Sequence, residues 1–208
     1  MNIRISTVVA AALIAPTLGA QAAVDAPSDP VVLKLGSTVS KDITLADING
    51  KSVSFKELRG KVVFVHFWSL KCPAIKQTQA RLSAIHKDFG KDVVVLGINS
   101  NADELGAGLK VEGDAKPFAA IREHAKKTKI NYPILVDKGN KIADLFQAKT
   151  TPHCYVIDKK GVLRYAGSLD NDQAGRRKEG VESYVRRALT ALTSEDGEYE
   201  NKATKPYG

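Results

Sequence analysis

The sequence predicts an α/β fold, because its apolar residues switch between the spacing of strands and the spacing of helices. Residues 61 to 68 form a nearly continuous apolar run, which is typical of a strand buried on both faces of a sheet. From Cys72 to Phe89 the apolar residues recur every three or four positions, as in an amphipathic helix. Residues 92 to 98 are a second, valine-rich strand. Strand, helix and strand in this order make a βαβ unit.

The remaining segments add a hairpin before this unit and a mixed pattern after it. Asn49-Gly50 lies between two short segments and is a strong hairpin signal. Three glycines make residues 105 to 115 an irregular insertion. Beyond it the sequence predicts a helix at 117 to 127, a strand at 133 to 136, a short helix at 142 to 146, paired strands at 154 to 158 and 162 to 166, and a last helix with Val181, Val185, Leu189 and Leu192 on its apolar face.

The first 22 residues have the pattern of a secretory signal peptide. Arg4 precedes an apolar stretch that is too short for a membrane span, and this stretch ends at Ala20-Gln21-Ala22, a small-x-small cleavage signal. No later segment is apolar enough to cross a membrane. We therefore expect an exported protein, periplasmic if the source is Gram-negative. Its predicted parts are a flexible leader at 23–34, one domain at 35–193 and a loosely structured tail at 194–208.

The charge pattern argues against a nucleic-acid partner. The formal net charge is +8, from 31 Lys and Arg against 23 Asp and Glu, but the basic residues are dispersed and are not interleaved with aromatic residues. We expect a solvated basic surface instead. Cys72 and Cys154 are too few for a disulfide scaffold, so these thiols are expected to serve chemistry or packing.

Cys72 is the candidate nucleophile. It opens the predicted helix, and a helix N-terminus stabilises a thiolate through its unpaired N–H groups and its dipole. Such a thiol ionises more readily than a free cysteine, whose pKa is about 8.5. The alternative is a small buried residue that only packs. Lys71 adds a positive charge beside the thiol, and Trp68 belongs either to the wall of the pocket or to the edge of the core.

Several motifs, taken in order, resemble the thioredoxin superfamily. They are Phe67-Trp68-Ser69-Leu70-Lys71-Cys72-Pro73 at the strand-to-helix junction, Gly97-Ile98-Asn99-Ser100-Asn101, Thr150-Thr151-Pro152-His153, and Gly161-Val162-Leu163-Arg164-Tyr165-Ala166-Gly167. More narrowly, they are similar to the exported redoxin or peroxiredoxin-like group, the alkyl hydroperoxide reductase and thiol-specific antioxidant family. The resemblance covers residues 35 to 192. It implies a thioredoxin-like three-layer sandwich, in which helices flank a central mixed β-sheet that follows an N-terminal hairpin.

The resemblance also implies the parts of a thiol site. The Thr151-Pro152 bond is expected to be cis, with its loop against Cys72, so that Pro152 shields the thiol and the preceding backbone binds a thiol substrate. Ser69 occupies the position of the peroxiredoxin Thr or Ser, three residues before the nucleophile. The expected substrate-positioning residues are therefore Thr151, Pro152, Ser69 and Trp68.

Departures from the family pattern leave the reaction open. Ile75 stands where dithiol thioredoxins have their second cysteine, so an internal disulfide of that kind is excluded. Val65 stands where peroxiredoxins have proline, and their catalytic arginine has no clear counterpart. Cys154 is the remaining candidate resolving thiol. Strand alternation places it on the face of Pro152, and we expect it to be buried and unpaired, with a disulfide to Cys72 as the alternative.

Two histidines lie close to the site in the sequence. His153, beside Pro152, is a candidate proton donor to a leaving thiolate, or a group that stabilises the Cys72 anion, because imidazole titrates near neutral pH. The alternative for His153 is a partly exposed structural residue. His66, inside the predicted central strand, is expected to be a core residue.

These observations predict a thiol oxidoreductase with antioxidant or thiol-disulfide activity. Cys72 attacks a small peroxide, or a disulfide of a protein or small molecule, and an external thiol or thiol reductase completes the cycle. No cofactor or metal is implied. One alternative is a copper site formed by Cys72 with His153 or Cys154, although Lys76 stands where copper chaperones of this fold have their second cysteine. The other is a redoxin-derived binding module without turnover.

Overall fold

Residues 32–106 and 117–207 are described by the computed structural model, and they alternate strands and helices as the apolar pattern predicts. In chain order the elements are β1 (Thr44–Ala46), β2 (Ser52–Ser54), β3 (Val62–Phe67), α1 (Pro73–Phe89), β4 (Val93–Asn99), α2 (Ala102–Leu105), α3 (Ala119–Lys127), β5 (Ile134–Val136), α4 (Lys141–Phe146), β6 (Cys154–Ile157), β7 (Leu163–Gly167), α5 (Tyr184–Thr193) and β8 (Lys202–Ala203). The α/β class is confirmed.

The main sheet has its strands in the order β5-β4-β3-β6-β7-β8. β3 is parallel to β4, and β4 to β5, whereas β6 is antiparallel to both β3 and β7. Parallel neighbours need a crossover connection, and α1 supplies it between β3 and β4. Every residue of β3 is buried, which explains its nearly continuous apolar sequence, broken only by His66. The predicted mixed sheet is therefore confirmed.

The predicted hairpin forms a second, smaller sheet of β1 and β2. Its turn is held by the carboxylate of Asp47, which accepts from the backbone N–H groups of Asn49 and Lys51, both at 2.8 Å. The N–H of Ile48 donates to the carbonyl oxygen of Ile134 at 2.9 Å. The hairpin is thereby attached to β5 of the main sheet.

Two apolar layers lie on opposite faces of the main sheet. The first packs residues of β3 such as Phe64 against α1, α3 and α5, and it includes Cys154. The second packs residues such as Val65 against α4 and the N-terminal segments, and it includes Tyr155. Neighbouring residues fall into different layers because successive side chains of a strand point to opposite faces. Helices on both faces confirm the three-layer sandwich.

Both ends of the domain differ from the prediction. Leu33, which the sequence assigns to the flexible leader, is buried, and its N–H donates to the carbonyl oxygen of Leu145 at 2.8 Å. The segment predicted as a loosely structured tail contains β8, which pairs with β7, and the N–H of Thr204 donates to the carbonyl oxygen of Ala166 at 3.0 Å. The prediction of a loose tail is corrected: backbone pairing holds this segment, and such pairing needs no apolar period that a sequence would show.

Some predicted segments lie outside the described residues, namely the signal peptide, most of the leader and the insertion from residue 107 onward. Where the insertion was expected to begin, the structure has the short helix α2. Val181 precedes α5 and is 48% exposed, so its assignment to the apolar face of the last helix is wrong. Val185, Leu189 and Leu192 of that face are buried as predicted.

Candidate functional site

Cys72 is the residue immediately before α1, as the sequence predicts. Its backbone is extended, with φ −71° and ψ 123°, and Pro73 takes the first helical position, where a missing N–H costs nothing. The side chain is half-buried. Its Sγ donates a hydrogen bond to the carbonyl oxygen of Thr151 at 3.0 Å. The thiol therefore lies between the start of α1 and the loop that contains Thr151.

The loop that faces the thiol contains a cis peptide bond between Thr151 and Pro152, and Pro152 is buried. The N–H of Phe67, the last residue of β3, donates to the carbonyl oxygen of His153 at 3.0 Å. This bond attaches the loop to the strand that leads to Cys72. Both features that the resemblance implied, the cis bond and the loop against the thiol, are confirmed.

The C-terminal segment anchors the other side of this cis-proline loop. The hydroxyl of Thr150 donates to the carbonyl oxygen of Tyr207 at 2.6 Å. The hydroxyl of Tyr207 in turn donates to the carboxylate of Asp170 at 2.8 Å, and Arg81 of α1 donates to the same carboxylate at 2.6 Å. Burial and the Asp170 carboxylate raise the pKa of Tyr207. The tail thus links the cis-proline loop to the helix that Cys72 begins.

Cys154 lies inside the sheet, on β6 directly opposite His66 of β3. It is fully buried, and burial, together with the carboxylate of Asp170, raises the pKa of its thiol. Both cysteines are free, so the expectation of a buried, unpaired Cys154 is confirmed. His66 is also fully buried, and burial lowers its pKa to about 3, which confirms it as a core residue.

A buried glutamate that the sequence analysis did not single out, Glu104 of α2, contacts the loop between β3 and α1. Its Oε1 accepts from the hydroxyl of Ser69 at 2.6 Å and from the N–H of Lys71 at 3.0 Å. Its Oε2 accepts from the N–H of Leu70 at 2.8 Å and from the side-chain amide of Asn99 at 2.7 Å. Four donors therefore converge on the lone pairs of one carboxylate.

One sequence signal points to the position of this glutamate. Asn101 followed by acidic residues is the pattern of a helix N-terminus, and in the structure its side chain accepts from the N–H of Asp103 at 3.0 Å. The glycines that follow made the segment resemble an irregular insertion. The helix α2, which places Glu104 under the β3–α1 loop, was missed for that reason.

Trp68, the only tryptophan of the sequence, is fully buried beside the site. Its indole N–H donates to the side-chain oxygen of Gln79 at 3.2 Å. The centroid of its ring lies 6.0 Å from that of His124 on α3. Burial lowers the pKa of His124, nearby lysines lower it further, and Glu104 opposes them. The structure thus places beside Trp68 an imidazole that the sequence analysis did not consider.

A cleft of about 290 Å³ is lined in part by Thr151, the residue whose carbonyl oxygen accepts from the Cys72 thiol. Three of the four residues predicted to position a substrate border it, namely Trp68, Ser69 and Thr151, although Trp68 and Ser69 are themselves buried. Pro152 and Cys72 are not among its lining residues. Most of the other lining residues are polar or small: Phe67, Ile98, Ser100, Asn101, Asn140, Ala143, Ala148, Lys149 and Thr150. The volume is at the lower end of the range for small-molecule sites. The cleft therefore offers room for a short stretch of substrate next to the thiol's hydrogen-bond partner.

His153, the candidate proton donor of the sequence analysis, contacts the side chain of Tyr155. Its ring packs on that of Tyr155, with centroids 4.5 Å apart, and its Nδ1 lies 2.8 Å from the Tyr155 hydroxyl. Burial, with a smaller contribution from Lys149, lowers the pKa of His153 to about 4, so the imidazole is neutral at pH 7. It is also only 7% exposed, not partly exposed as expected. These observations argue against the predicted acid role.

The remaining predicted groups are less closely tied to the thiol. Lys71 is exposed, and its electrostatic role stays a prediction. His153 and Cys154 are the two alternative partners of Cys72 in a copper site. They lie on opposite faces of the sheet, because the ring of His153 packs on Tyr155, and Tyr155 and Cys154 belong to different apolar layers. Within residues 32–106 and 117–207 no group of three or more His, Cys, Asp or Glu is placed to hold a metal ion. In the same part of the chain no helix has the length and apolarity to cross a membrane.

Comparison with solved structures assigns the fold. A hypothetical protein from Sinorhizobium meliloti 1021 gives a TM-score of 0.66, with 22% identity, over 84% of this chain and 90% of that chain. A putative thioredoxin from Neisseria meningitidis gives a TM-score of 0.53, with 19% identity, over 78% of this chain and 95% of that chain. At these identities the likeness shows the fold alone. With Cys72 placed against the cis-proline loop, this fold defines a thioredoxin-like protein of the thiol oxidoreductase class.

The chain belongs to the AhpC/TSA family, whose sequence profile matches residues 37–166. Among curated relatives, the thiol-disulfide oxidoreductase ResA of Bacillus cereus (strain ZK / E33L) is 22% identical over 147 residues, which are 70% of this chain and 74% of that protein. The family resemblance drawn from the sequence motifs is therefore confirmed.

Proposed function

We propose that this protein is an exported thiol-disulfide oxidoreductase that works through a single cysteine, Cys72. One observation carries the proposal: the half-buried Sγ of Cys72 lies 3.0 Å from the carbonyl oxygen of Thr151, the residue before the cis-proline. The second thiol, Cys154, is fully buried and takes no part in the proposed cycle. Export rests on the signal-peptide pattern of residues 1 to 22.

The proposed reaction is a pair of exchange steps. The Cys72 thiolate attacks one sulfur of a substrate disulfide, so that a bond forms between Sγ and that sulfur while the substrate S–S bond breaks. The other half of the substrate leaves as a thiolate and takes a proton from water. An external thiolate then attacks the bound sulfur, forms the new disulfide and releases Cys72. The external thiol is required because Ile75 stands where a second cysteine of α1 would resolve the mixed disulfide.

The loop before the nucleophile favours a disulfide over a peroxide as substrate. The hydroxyl of Ser69, which occupies the peroxiredoxin Ser or Thr position, donates its proton to Glu104 at 2.6 Å. A hydroxyl engaged in this way does not donate to a peroxide held at Cys72. The name of the ResA relative supports the same substrate class. Membership of the AhpC/TSA family supports peroxide reduction as the second candidate function.

A single-turnover experiment tests the proposal. The reduced protein is mixed with a peptide that carries a mixed disulfide with glutathione, or in parallel with hydrogen peroxide, and the products are followed by mass spectrometry. We expect wild type to carry one substrate thiol on Cys72 and the Cys72→Ser variant to form no adduct. In Cys154→Ser the rate of adduct formation should stay within about twofold of wild type, since a fully buried thiol takes no part in the reaction.

Three outcomes contradict the proposal. The first is the absence of a disulfide adduct on the wild-type protein. The second is an unchanged rate in Cys72→Ser. The third is a sulfenic acid at Cys72 that forms with peroxide faster than the disulfide adduct forms, a result that would replace the proposed function by the second candidate.

A further inference from the structure

We infer that Glu104 is a positioning residue for the thiol reaction, because it fixes the loop that ends at Cys72 and so holds the nucleophile against the cis-proline loop. This inference rests on the proposed function, and it adds to it a residue outside the motifs that carry the family resemblance. Glu104 touches neither the thiol nor its Thr151 partner in the hydrogen bonds described above, so its effect is transmitted through residues 69–71.

The anchoring of the β3–α1 connection leads directly to the nucleophile. The N–H of Trp68 donates to the carbonyl oxygen of Ile98 on β4 at 2.7 Å. The next three residues, 69 to 71, each donate a hydrogen bond to Glu104. Cys72 follows immediately and begins α1. The whole connection is therefore tied to β4 and α2, and the position of the Sγ depends on that attachment.

The donor pattern requires a carboxylate and excludes an amide. Each oxygen of Glu104 accepts from two donors, and a carboxylate has about four lone-pair sites and no proton to donate. In either orientation of its amide, a glutamine at position 104 would direct its NH₂ group at two of these donors, and donors cannot bond to one another. The hydrogen bonds that a charged carboxylate accepts are also stronger than those between neutral groups. The side chain is fully buried, and a buried charge is tolerated only when it is fully hydrogen-bonded, as it is here.

Two sets of hydrogen bonds, one on each side, then fix the position of the Cys72 thiol. Glu104 holds the chain just before Cys72, and the Thr151 carbonyl accepts from the Sγ on the other side at 3.0 Å. Attack on a disulfide requires the sulfur in line with the bond that breaks, and a misplacement of about 1 Å costs about 10²-fold in rate. A small alkylating reagent has no such requirement. Loss of Glu104 should therefore slow disulfide exchange far more than it slows alkylation.

The test compares Glu104→Gln and Glu104→Asp with a matched control, Asp158→Asn. Asp158 is another buried carboxylate that accepts backbone N–H groups, from Lys160 at 2.9 Å and Val162 at 2.8 Å. It follows β6, whose first residue pairs with the end of β3 nearest Cys72, so Asp158 lies at the far end of the sheet. Its Oδ2 accepts from the Nε–H of Arg164 at 2.8 Å, so Asp158→Asn replaces one oxygen of a buried, hydrogen-bonded carboxylate that lies away from the thiol.

Two rates and one protection measurement are made on the folded proteins. They are exchange with the glutathionylated peptide, alkylation by iodoacetamide, and amide hydrogen exchange at Leu70 and Lys71. In Glu104→Gln we expect peptide exchange slower by at least about tenfold and alkylation within about threefold, with amide exchange at Leu70 and Lys71 faster by at least about tenfold. Glu104→Asp keeps an acceptor-only group with a shorter reach, and its peptide-exchange rate should lie between those of Glu104→Gln and wild type.

The control variant Asp158→Asn should keep all three rates within about twofold of wild type, because the contacts that it changes are remote from the thiol.

The outcomes separate this inference from the proposed function. A wild-type protein that does not react with the peptide disulfide refutes the function, while unchanged protection of Leu70 and Lys71 in Glu104→Gln overturns the role of Glu104. Equal loss of peptide exchange in Asp158→Asn also overturns it, since any buried carboxylate would then have the same effect. If Glu104→Gln does not fold, Glu104→Asp decides, because a peptide-exchange rate equal to that of wild type contradicts positioning.

Discussion

Cys72 and Cys154 are the same chemical group in two regions of one domain, and the structure gives them opposite environments. Cys72 lies at the junction of a loop and a helix, half-buried, with its Sγ bonded to the Thr151 carbonyl. Cys154 lies within β6, fully buried, and its pKa is raised by burial and by Asp170. The difference shows that the place of a thiol in the secondary structure, more than its residue type, decides whether it is available for reaction.

The largest expected difference between the two regions is in thiol reactivity. Native protein treated with iodoacetamide should be labelled at Cys72, while labelling of Cys154 should be slower by at least about a thousandfold, because it requires the sheet to open. Peptide mapping after timed quenching measures both rates in one sample. Denatured protein, in which both thiols react, is the control. Comparable rates in the native state would show that the buried region opens readily.

The buried region should also respond to acid. The pKa of His66, opposite Cys154, is lowered to about 3 in the folded protein from 6.5, so between these values the unfolded chain binds a proton that the folded chain does not. The contribution to stability is complete above pH 6.5 and is lost as the pH falls toward 3. At pH 4.5 the loss from this group is about 2 to 3 kcal/mol relative to pH 7.

Guanidinium denaturation of wild type and His66→Gln at pH 7 and pH 4.5 measures this contribution. The difference in unfolding free energy between the two pH values should be smaller in the variant by about 2 to 3 kcal/mol, since glutamine does not titrate. It should not vanish, because the pKa of His153 is also lowered, to about 4. An equal pH dependence in both proteins would exclude His66 as a source of acid sensitivity.

A smaller effect is expected at Tyr207, which contacts both regions. Its hydroxyl donates to Asp170, near Cys154, and its carbonyl oxygen accepts from Thr150 in the loop that faces Cys72. Tyr207→Phe should lower the unfolding free energy by about 1.5 to 3 kcal/mol, because a hydrogen bond to a buried carboxylate is lost. Tyr199→Phe, a half-buried tyrosine of the same segment, is the control and should change stability by less than about 0.5 kcal/mol. Equal losses of unfolding free energy in the two variants would show that the effect comes from the C-terminal segment in general and not from the Tyr207–Asp170 hydrogen bond.

The smallest effect is expected at His153. Because its ring faces Tyr155 and is neutral at pH 7, His153→Gln should leave the rate of disulfide exchange at pH 7 within about twofold of wild type. The rate is measured with the same glutathionylated peptide. A loss of tenfold or more would restore the acid role that the sequence suggested and would tie His153 to the Cys72 region after all.

Much of the fold was predictable because the buried side of a helix or strand requires apolar residues at regular spacings along the sequence. β3 is buried on both faces and has a nearly continuous apolar run, and α1 shows the three-and-four spacing of a helix with one buried side. β8 and α2 were missed for the converse reason. β8 has two exposed residues held by backbone pairing, and α2 has four residues next to a glycine-rich segment, so neither carries an apolar period.

The site was predictable where a residue type and its position together imply chemistry. A cysteine at a helix start and a Thr-Pro pair before a strand meet in the structure, as the family resemblance implied. Glu104 and His124 were not predicted, because the contacts of Glu104 with the loop before Cys72 and of His124 with Trp68 depend on how α2 and α3 pack and not on any motif. The role of His153 stays a prediction: its sequence position beside Pro152 suggested the thiol, and in the structure its ring packs on that of Tyr155.

The bond between Thr150 and Tyr207 also constrains the order in which the site is completed during synthesis. Its partners are 57 residues apart, and the Asp170 anchor of the same tyrosine is 37 residues upstream of it. A ribosome makes the chain from its N-terminus at about 5 to 20 residues per second, so the loop facing Cys72 emerges seconds before the segment that secures it. A nascent chain therefore carries its reactive thiol before the opposing loop has its last support.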